Sequence, residues 1–166
     1  MKLATRVVFH HALLLFLALI LSASRSTAQS NPAPARITQA IDENNVVALT
    51  GNVHPLARAE FDRGPAPSDL ALNRMLLVLS RSPEQAGNLQ ALLDQQQDRS
   101  SPQYHRWLTP QQFGQQFGPS DSDIAQITAW LQIHGFHDIH VSNGRVTIEF
   151  SGTAAQVQEA FRTSIH

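Results

Sequence analysis

The sequence predicts a mixed α/β domain in which helices pack on one small sheet, and three observations support this fold class. The continuous apolar run at residues 75–79 is typical of a strand buried on both faces. Two alternating segments around Asn143-Gly144 predict a β-hairpin. The chain also contains three capping boxes, in which a Ser or Thr is followed three residues later by Gln at a helix start. These boxes begin at Ser82, Thr109 and Thr153.

The first 28 residues are predicted to be a signal peptide that takes no part in the fold. Lys2 and Arg6 precede an apolar run at residues 12–21, which is short for a membrane span. Small residues at its end indicate cleavage between Ala28 and Gln29, and the alternative is an uncleaved membrane anchor. We therefore expect a secreted protein, either extracellular or periplasmic.

The composition excludes several classes of function. Without cysteine, the chain has no thiolate nucleophile, disulfide or cysteine-based metal centre. Signal cleavage would remove three of the twelve basic residues and none of the thirteen acidic ones, which leaves a net charge of −4 and gives no support to nucleic-acid binding. Six of the eight histidines remain, and acid would make this chain basic, which suits an acid-responsive role.

Residues 29–44 are predicted to be a linker, because Pro and Ala dominate its first part. The domain proper is predicted to span residues 45–166. Its first part, through residue 67, contains His54-Pro55 and several further Gly and Pro residues. This composition predicts an irregular, extended arm that lies over the domain.

Each helix of the domain has start and stop signals. Pro83 and Pro110 follow the caps Ser82 and Thr109, at the first helical position that proline favours. Gly118 ends the second of these helices after about two turns. The third helix begins after Ser120 and ends at Gly135, and its apolar face contains Ile124, Ile127 and Leu131.

The hairpin has the most clearly predicted register. With a two-residue loop at Asn143-Gly144, Val141 would oppose Val146, and Ile139 would oppose Ile148. Both apolar pairs then lie on one face of the sheet, so the sequence pattern and the turn agree.

The order of elements predicts the topology. A strand and a helix are followed by inserted helices, the hairpin, a helix after Thr153, and a truncated last strand at residues 163–166. This order is that of a ferredoxin-like, split βαββαβ fold. The inserted stretch, residues 101–118, includes Tyr104 and Trp107. Because so short a helix is unstable alone, we expect these aromatic rings to pack against their neighbours.

No group of residues assembles an active site. Ser151 lies in a Ser-Gly-Thr sequence, but Thr153 accounts for this motif as a helix cap, and the sequence places no base beside the serine. Asp121 and Asp123 are interpreted as residues of a helix start, where negative charge is favoured, and not as a catalytic pair.

The histidines do not predict a metal site. Gly135 separates a helix end from a strand, so the three nearby histidines share neither a helix face nor a strand face. These histidines are His134, His137 and His140. His105 lies between Tyr104 and Trp107, where we expect a partly buried polar partner, or alternatively a pH-sensitive contact.

Residues 102–113, Pro-Gln-Tyr-His-Arg-Trp-Leu-Thr-Pro-Gln-Gln-Phe, resemble the signature of the activation domain of the sedolisin (kumamolisin-type) serine-carboxyl peptidases. The similarity continues through most of residues 45–166. The signature and packing residues that match are Tyr104, His105, Trp107, Leu108, Pro110, Phe113, Trp130, Gly135, Gly152 and Phe161.

The resemblance implies a propeptide with an α/β, subtilisin-prosegment-like fold. Such a propeptide assists folding of its peptidase, blocks the substrate cleft and is removed autocatalytically in acid. The implied partner is a cognate sedolisin catalytic domain, with no nucleic acid and, after signal cleavage, no membrane. The family's catalytic Glu, Asp and Ser and its calcium site belong to that domain, which we expect to be absent from this chain.

No catalytic, cofactor-binding or metal-binding residue is therefore carried over, and we expect no cofactor in this chain. Two alternatives remain open. The chain could be a standalone secreted protease inhibitor or binding module with the same fold, or an incomplete record of a whole protease precursor.

Overall fold

The structure, a computed structural model, describes residues 33–51 and 53–166. The predicted signal peptide and its cleavage site between Ala28 and Gln29 lie outside the described residues. The described part is a mixed α/β fold of helices and one antiparallel sheet, which confirms the predicted class. In chain order, the elements are β1 (Ala71–Val78), α1 (Pro83–Gln97), α2 (Pro110–Phe117), α3 (Asp121–Ile133), β2 (His137–Val141), β3 (Thr147–Thr153) and α4 (Ala154–Ala160).

The described strands form one antiparallel sheet in the order β1-β3-β2. The central strand, β3, is antiparallel to both of its neighbours, so β1 and β2 are parallel to each other. This is the arrangement of the first three strands of a split βαββαβ fold, as predicted. Residues 163–166 form no strand, and the Ile165 carbonyl accepts a hydrogen bond from the Ala66 N–H at 2.9 Å.

All three predicted capping boxes are present. In the first of them, Ser82 Oγ accepts from the Gln85 N–H at 3.1 Å, and Gln85 Oε1 accepts from the Ser82 N–H at 3.0 Å. Ser120 caps α3 by accepting from the Asp123 N–H. Gly135 follows α3 with a φ of 78°, the left-handed conformation that glycine adopts without strain.

The core lies between one face of the sheet and helices α3 and α4. Leu131 and Ile148 are fully buried at its centre, and Phe136 meets Phe150 edge to face with ring centroids 5.0 Å apart. Gly152 allows this packing, since a Cβ there would lie 2.6 Å from Phe136 Cδ1. The buried members of this cluster are Leu131, Phe136, Ile148, Phe150 and Val157.

Strand β1 is covered on one face only, so the prediction that it is buried on both faces is wrong. Leu72, Met75 and Leu77 point toward the core. Leu76 and Val78 are 60% and 73% exposed on the other face. Helices α3 and α4 pack on the core side of the sheet, and the face that carries the exposed Leu76 and Val78 is here called the outer face.

The predicted hairpin register is also wrong, by two residues. Val141 is paired with Ile148, and the loop contains four residues, 143–146. The Arg145 N–H donates to the Ser142 carbonyl, and Arg145 has a φ of 54°, which places the left-handed residue outside Asn143-Gly144. A shift of two residues preserves the side-chain alternation, so the apolar residues still face the core.

Helix α2 packs against this hairpin loop through two glycines. A Cβ on Gly114 would lie 2.5 Å from the Asn143 carbonyl oxygen, and one on Gly118 would lie 2.6 Å from Arg145 Cβ. Phe117 is buried, and its ring centroid is 5.6 Å from that of Phe113. The short inserted helix is thus held by its neighbours, as expected from its length.

Candidate partner-binding surface

The aromatic part of the signature, residues 104–107, lies largely on the surface. The Tyr104 and His105 rings stack with centroids 3.8 Å apart, and the Trp107 ring follows at 5.7 Å from His105. Trp107 stacks on His105 but is 67% exposed, so the expected burial of its ring against neighbouring residues is wrong. His105 is exposed as well, which contradicts its expected partial burial.

The buried Gln96 binds the backbone of this segment. The Gln96 carbonyl accepts from the His105 N–H at 3.1 Å, and its side-chain amide donates to the Arg106 carbonyl. His105 is held at a φ of 54°, in the left-handed region that a non-glycine residue rarely adopts.

The other signature residues lie in the structural framework. Phe113 and Leu108 are partly buried, and the exposed Pro110 is the first residue of α2. Trp130 meets Phe161 edge to face at 5.4 Å. The structure therefore does not bring the signature residues together in one site.

The outer face of the sheet is a candidate surface for a partner. Residues directly opposite each other in a sheet point to the same side, so Leu76, Glu149 and His140 form one row across it. Val78 lies two residues along β1, on the same side. Arg74 Nε donates to Glu149 Oε1 at 3.1 Å beside these apolar residues. The sequence does not reveal this surface, because β1 is apolar at its outward as well as its inward positions.

Ser151 has a structural role in this sheet. Its side chain is buried, and its Oγ accepts from the Arg74 N–H at 3.3 Å, next to the irregularity in β1. Asp121 forms an ion pair with Arg145 at 2.6 Å. Asp123 instead accepts hydrogen bonds from the backbone of Arg36 and Ile37, in the described segment before β1 that is here called the N-terminal arm. The two carboxylates thus have separate partners and form no pair of the catalytic kind.

The three histidines near Gly135 are not gathered around one point. His134 Nε2 is 2.8 Å from Glu43 Oε1, and His137 Nδ1 is 2.9 Å from Asp138 Oδ2. His140 lies on the outer face of the sheet. Within residues 33–51 and 53–166, no group of three or more His, Asp or Glu side chains is arranged to hold a metal ion.

The N-terminal arm is attached to the domain by carboxylates, a feature that the sequence does not predict. Asp62 accepts from the Gly64 N–H at 2.8 Å, and His166 Nδ1 lies 3.0 Å from it. The Gly64 bond and then His166 lower the pKa of Asp62. Hydrogen bonds from His134 and then from the Trp130 indole lower the pKa of Glu43.

Comparison with known proteins identifies the family. Residues 60–166 match the family model described as Pro-kumamolisin, activation domain. The chain is 32% identical over 150 residues to xanthomonalisin of Xanthomonas sp. (strain T-22), a match that covers 87% of this chain. It is 29% identical over 89 residues to sedolisin of Pseudomonas sp. (strain 101), with 54% of the chain covered.

The chain therefore belongs to the activation domain family of the sedolisin- and kumamolisin-type serine-carboxyl peptidases. These matches span 18% of xanthomonalisin and 15% of sedolisin. Among the described residues, no helix is long and apolar enough to cross a membrane.

Proposed function

We propose that this chain is the propeptide of an exported serine-carboxyl peptidase, which it helps to fold and keeps inactive until acid releases it. Family membership supports the propeptide role, and the predicted signal peptide at residues 1–28 supports export. The observation that carries the proposal is the outer face of the sheet, where Leu76 and Val78 are exposed side by side.

This face has the composition of a docking surface. Its centre is apolar, and the Arg74–Glu149 ion pair and His140 lie around it. An apolar centre with a polar rim is the usual anatomy of a protein–protein interface. We propose that the cognate catalytic domain covers this face and packs on the sheet as a further layer.

Acid release follows from the charges on the same face. The face contains the Arg74–Glu149 ion pair and the imidazole of His140. Acid makes an interface built from carboxylates and imidazoles more positive. A catalytic domain that complements this face at higher pH then meets a more positive surface. Unmatched charge at a desolvated interface weakens binding, so the complex dissociates.

The experiment is an inhibition assay with the full chain and the mature catalytic domain of a sedolisin-type peptidase. Peptide hydrolysis should be inhibited at the highest pH at which the peptidase alone is active, and inhibition should be lost in more acid buffer. Unchanged activity across several peptidases of the family at every pH would contradict the proposal.

A substitution on the outer face locates the contact. Val78→Asp should raise the inhibition constant at least about tenfold, because a carboxylate would be buried at the interface without a partner. The matched control is Ile133→Asp on α3, where the wild-type side chain is 81% exposed and away from the sheet. Equal inhibition by both variants would exclude the outer face as the docking surface.

One sequencing experiment separates the remaining alternatives. A reading frame that continues past codon 166 into a Ser-Gly-Thr-Ser motif would establish a protease precursor. A stop codon at that point, together with inhibition in trans, would favour a standalone inhibitor with this fold.

A further inference from the structure

A short stretch of the N-terminal arm, residues 36–43, lies along helix α3 and is called the strap. It was predicted to be part of a linker, yet side chains and backbone on both sides hold it in place. At its beginning, the Arg36 and Ile37 N–H groups donate to Asp123 Oδ1 at 2.9 and 2.7 Å. Gln126 Nε2 donates to the Ile37 carbonyl at 2.8 Å.

The far end of the strap is attached by a second carboxylate. Glu43 Oε1 accepts from the Trp130 indole N–H at 3.1 Å, and His134 Nε2 is 2.8 Å away. Trp130 and His134 are one turn apart on α3 and its C-terminal end, with ring centroids 4.4 Å apart. The strap is therefore bound to α3 near both of its ends, and a carboxylate takes part at each end.

Apolar packing contributes little to this attachment. A hollow of about 280 Å³ remains between strap and helix, lined by Ile41, Glu43, Gln126, Ala129, Trp130 and Ile133. Ile41 is exposed, and so is Val46 just beyond the strap. With so little apolar surface buried, the polar contacts must supply most of the stability of the strap.

We propose that the strap is an acid-sensitive fastener, which holds the N-terminal arm on α3 while Asp123 and Glu43 are ionised and releases it when they are protonated. A neutral carboxyl accepts hydrogen bonds less strongly than a carboxylate does. Release concerns the arm alone, because the core around Leu131 and Ile148 contains no titratable group. This behaviour goes beyond the proposed inhibitory function and does not depend on it.

The surroundings of both carboxylates favour the ionised form in the folded chain, as the proposal requires. Asp123 is only 2% exposed, and this burial acts to raise its pKa. Hydrogen bonds from the Ile37 amide, Ser120 and the Arg36 amide have the larger combined effect, so the pKa of Asp123 lies below the usual 3.8. Asp121 and its partner Arg145 lie near the same helix start.

Around Glu43, the facing groups are His134, the Trp130 indole and the Arg162 guanidinium, and the pKa lies below the usual 4.5. Since both carboxyl pKa values are lowered by folding, the attachment is complete above about pH 4.5 and is lost as pH falls through the lowered values.

Amide hydrogen exchange of the full chain, followed by NMR, tests the proposal. Protection factors, which correct for the pH dependence of intrinsic exchange, should fall at least about fivefold at Arg36 and Ile37 between about pH 6 and pH 3. Those of Leu131 and Ile148, which report opening of the whole domain, should fall by a smaller factor. Unchanged protection at Arg36 and Ile37, or loss in step with the core amides, would overturn the proposal.

Charge-removing variants identify the groups responsible. Glu43→Gln keeps an acceptor oxygen for the Trp130 indole but has no charge, so the strap should be less protected at pH 6 and less sensitive to acid. Asp123→Asn should likewise lower the amide protection of Arg36 and Ile37 at pH 6 and make it less sensitive to acid. Because Asp123 is buried and its variant could unfold, the exposed Glu43→Gln decides the outcome independently.

The matched control is Asp42→Asn. This residue lies in the same strap, but its carboxylate accepts from the Asn44 N–H within its own turn and not from α3. The control should keep the wild-type pH profile. A Glu43→Gln profile equal to that of Asp42→Asn would refute the role given to Glu43.

Discussion

Single residues in this domain differ sharply in how much change they allow, and its glycines show why. At Gly152, a methyl group would lie 2.6 Å from the Phe136 ring and 2.8 Å from Gln156 Oε1. At Gly87, in the middle of α1, a methyl group would meet nothing within 4 Å. The same substitution should therefore have opposite effects at the two positions.

Gly152→Ala should lower the free energy of unfolding by about 1–3 kcal/mol, because the Phe136 ring must move within a packed core. Gly87→Ala should raise it by up to about 1 kcal/mol, since alanine is the better helix former. Urea unfolding followed by circular dichroism measures both. Similar changes at the two sites would show that the contact with Phe136 is not what restricts Gly152.

The aromatic signature shows a limit of prediction at this scale. The shortness of α2 correctly predicted that it must be stabilised by packing, and Phe113 and Phe117 contribute to that packing. Trp107 is exposed beside His105, which has a left-handed backbone, and beside Arg106, whose carbonyl is bound by the buried Gln96. Local sequence contains no signal for such a backbone constraint, so the burial of Trp107 was predicted wrongly.

At the scale of elements, the helix starts are set by local chemistry. A cap needs only an oxygen at one position and an N–H three residues later, so it can be recognised in sequence. The register of the hairpin depends instead on contacts between α2 and residues 143–145, which bring distant parts of the chain together. This is why all three capping boxes were predicted correctly and the four-residue loop was not.

Helix α4 should be the most dependent on its cap, because it has only seven residues. Thr153→Ala removes the acceptor for the Gln156 N–H and should lower the free energy of unfolding by about 0.5–2 kcal/mol. Thr163→Ala, at an exposed position after the helix, is the control. Equal stability of the two variants would mean that core packing alone holds α4.

At the scale of the whole molecule, folding lowers the pKa values of four carboxyl groups. Hydrogen bonds lower the pKa values of Glu43, Asp62 and Asp98, and they outweigh burial at Asp123. A lowered pKa means that the unfolded chain binds more protons in acid than the folded chain does. Stability therefore rises with pH in that range.

The free energy of unfolding should be lower at about pH 3 than at about pH 6, with the loss beginning below the ordinary values of 4.5 for Glu and 3.8 for Asp. Urea titrations across this range measure it. Glu43→Gln should make the free energy of unfolding less dependent on pH in this range. Stability that stays constant or increases in acid would contradict the assigned hydrogen bonds.

The position of β3 in the middle of the sheet has a consequence for synthesis on the ribosome. β1 is complete at Val78, but its partner β3 begins at Thr147, roughly 70 residues later. At a translation rate of about 5–20 residues per second, the nascent chain waits about 4–14 s before any strand of the sheet can pair with β1. During that interval the apolar β1 has no native partner strand, so a cell must shield it or translocate it unfolded.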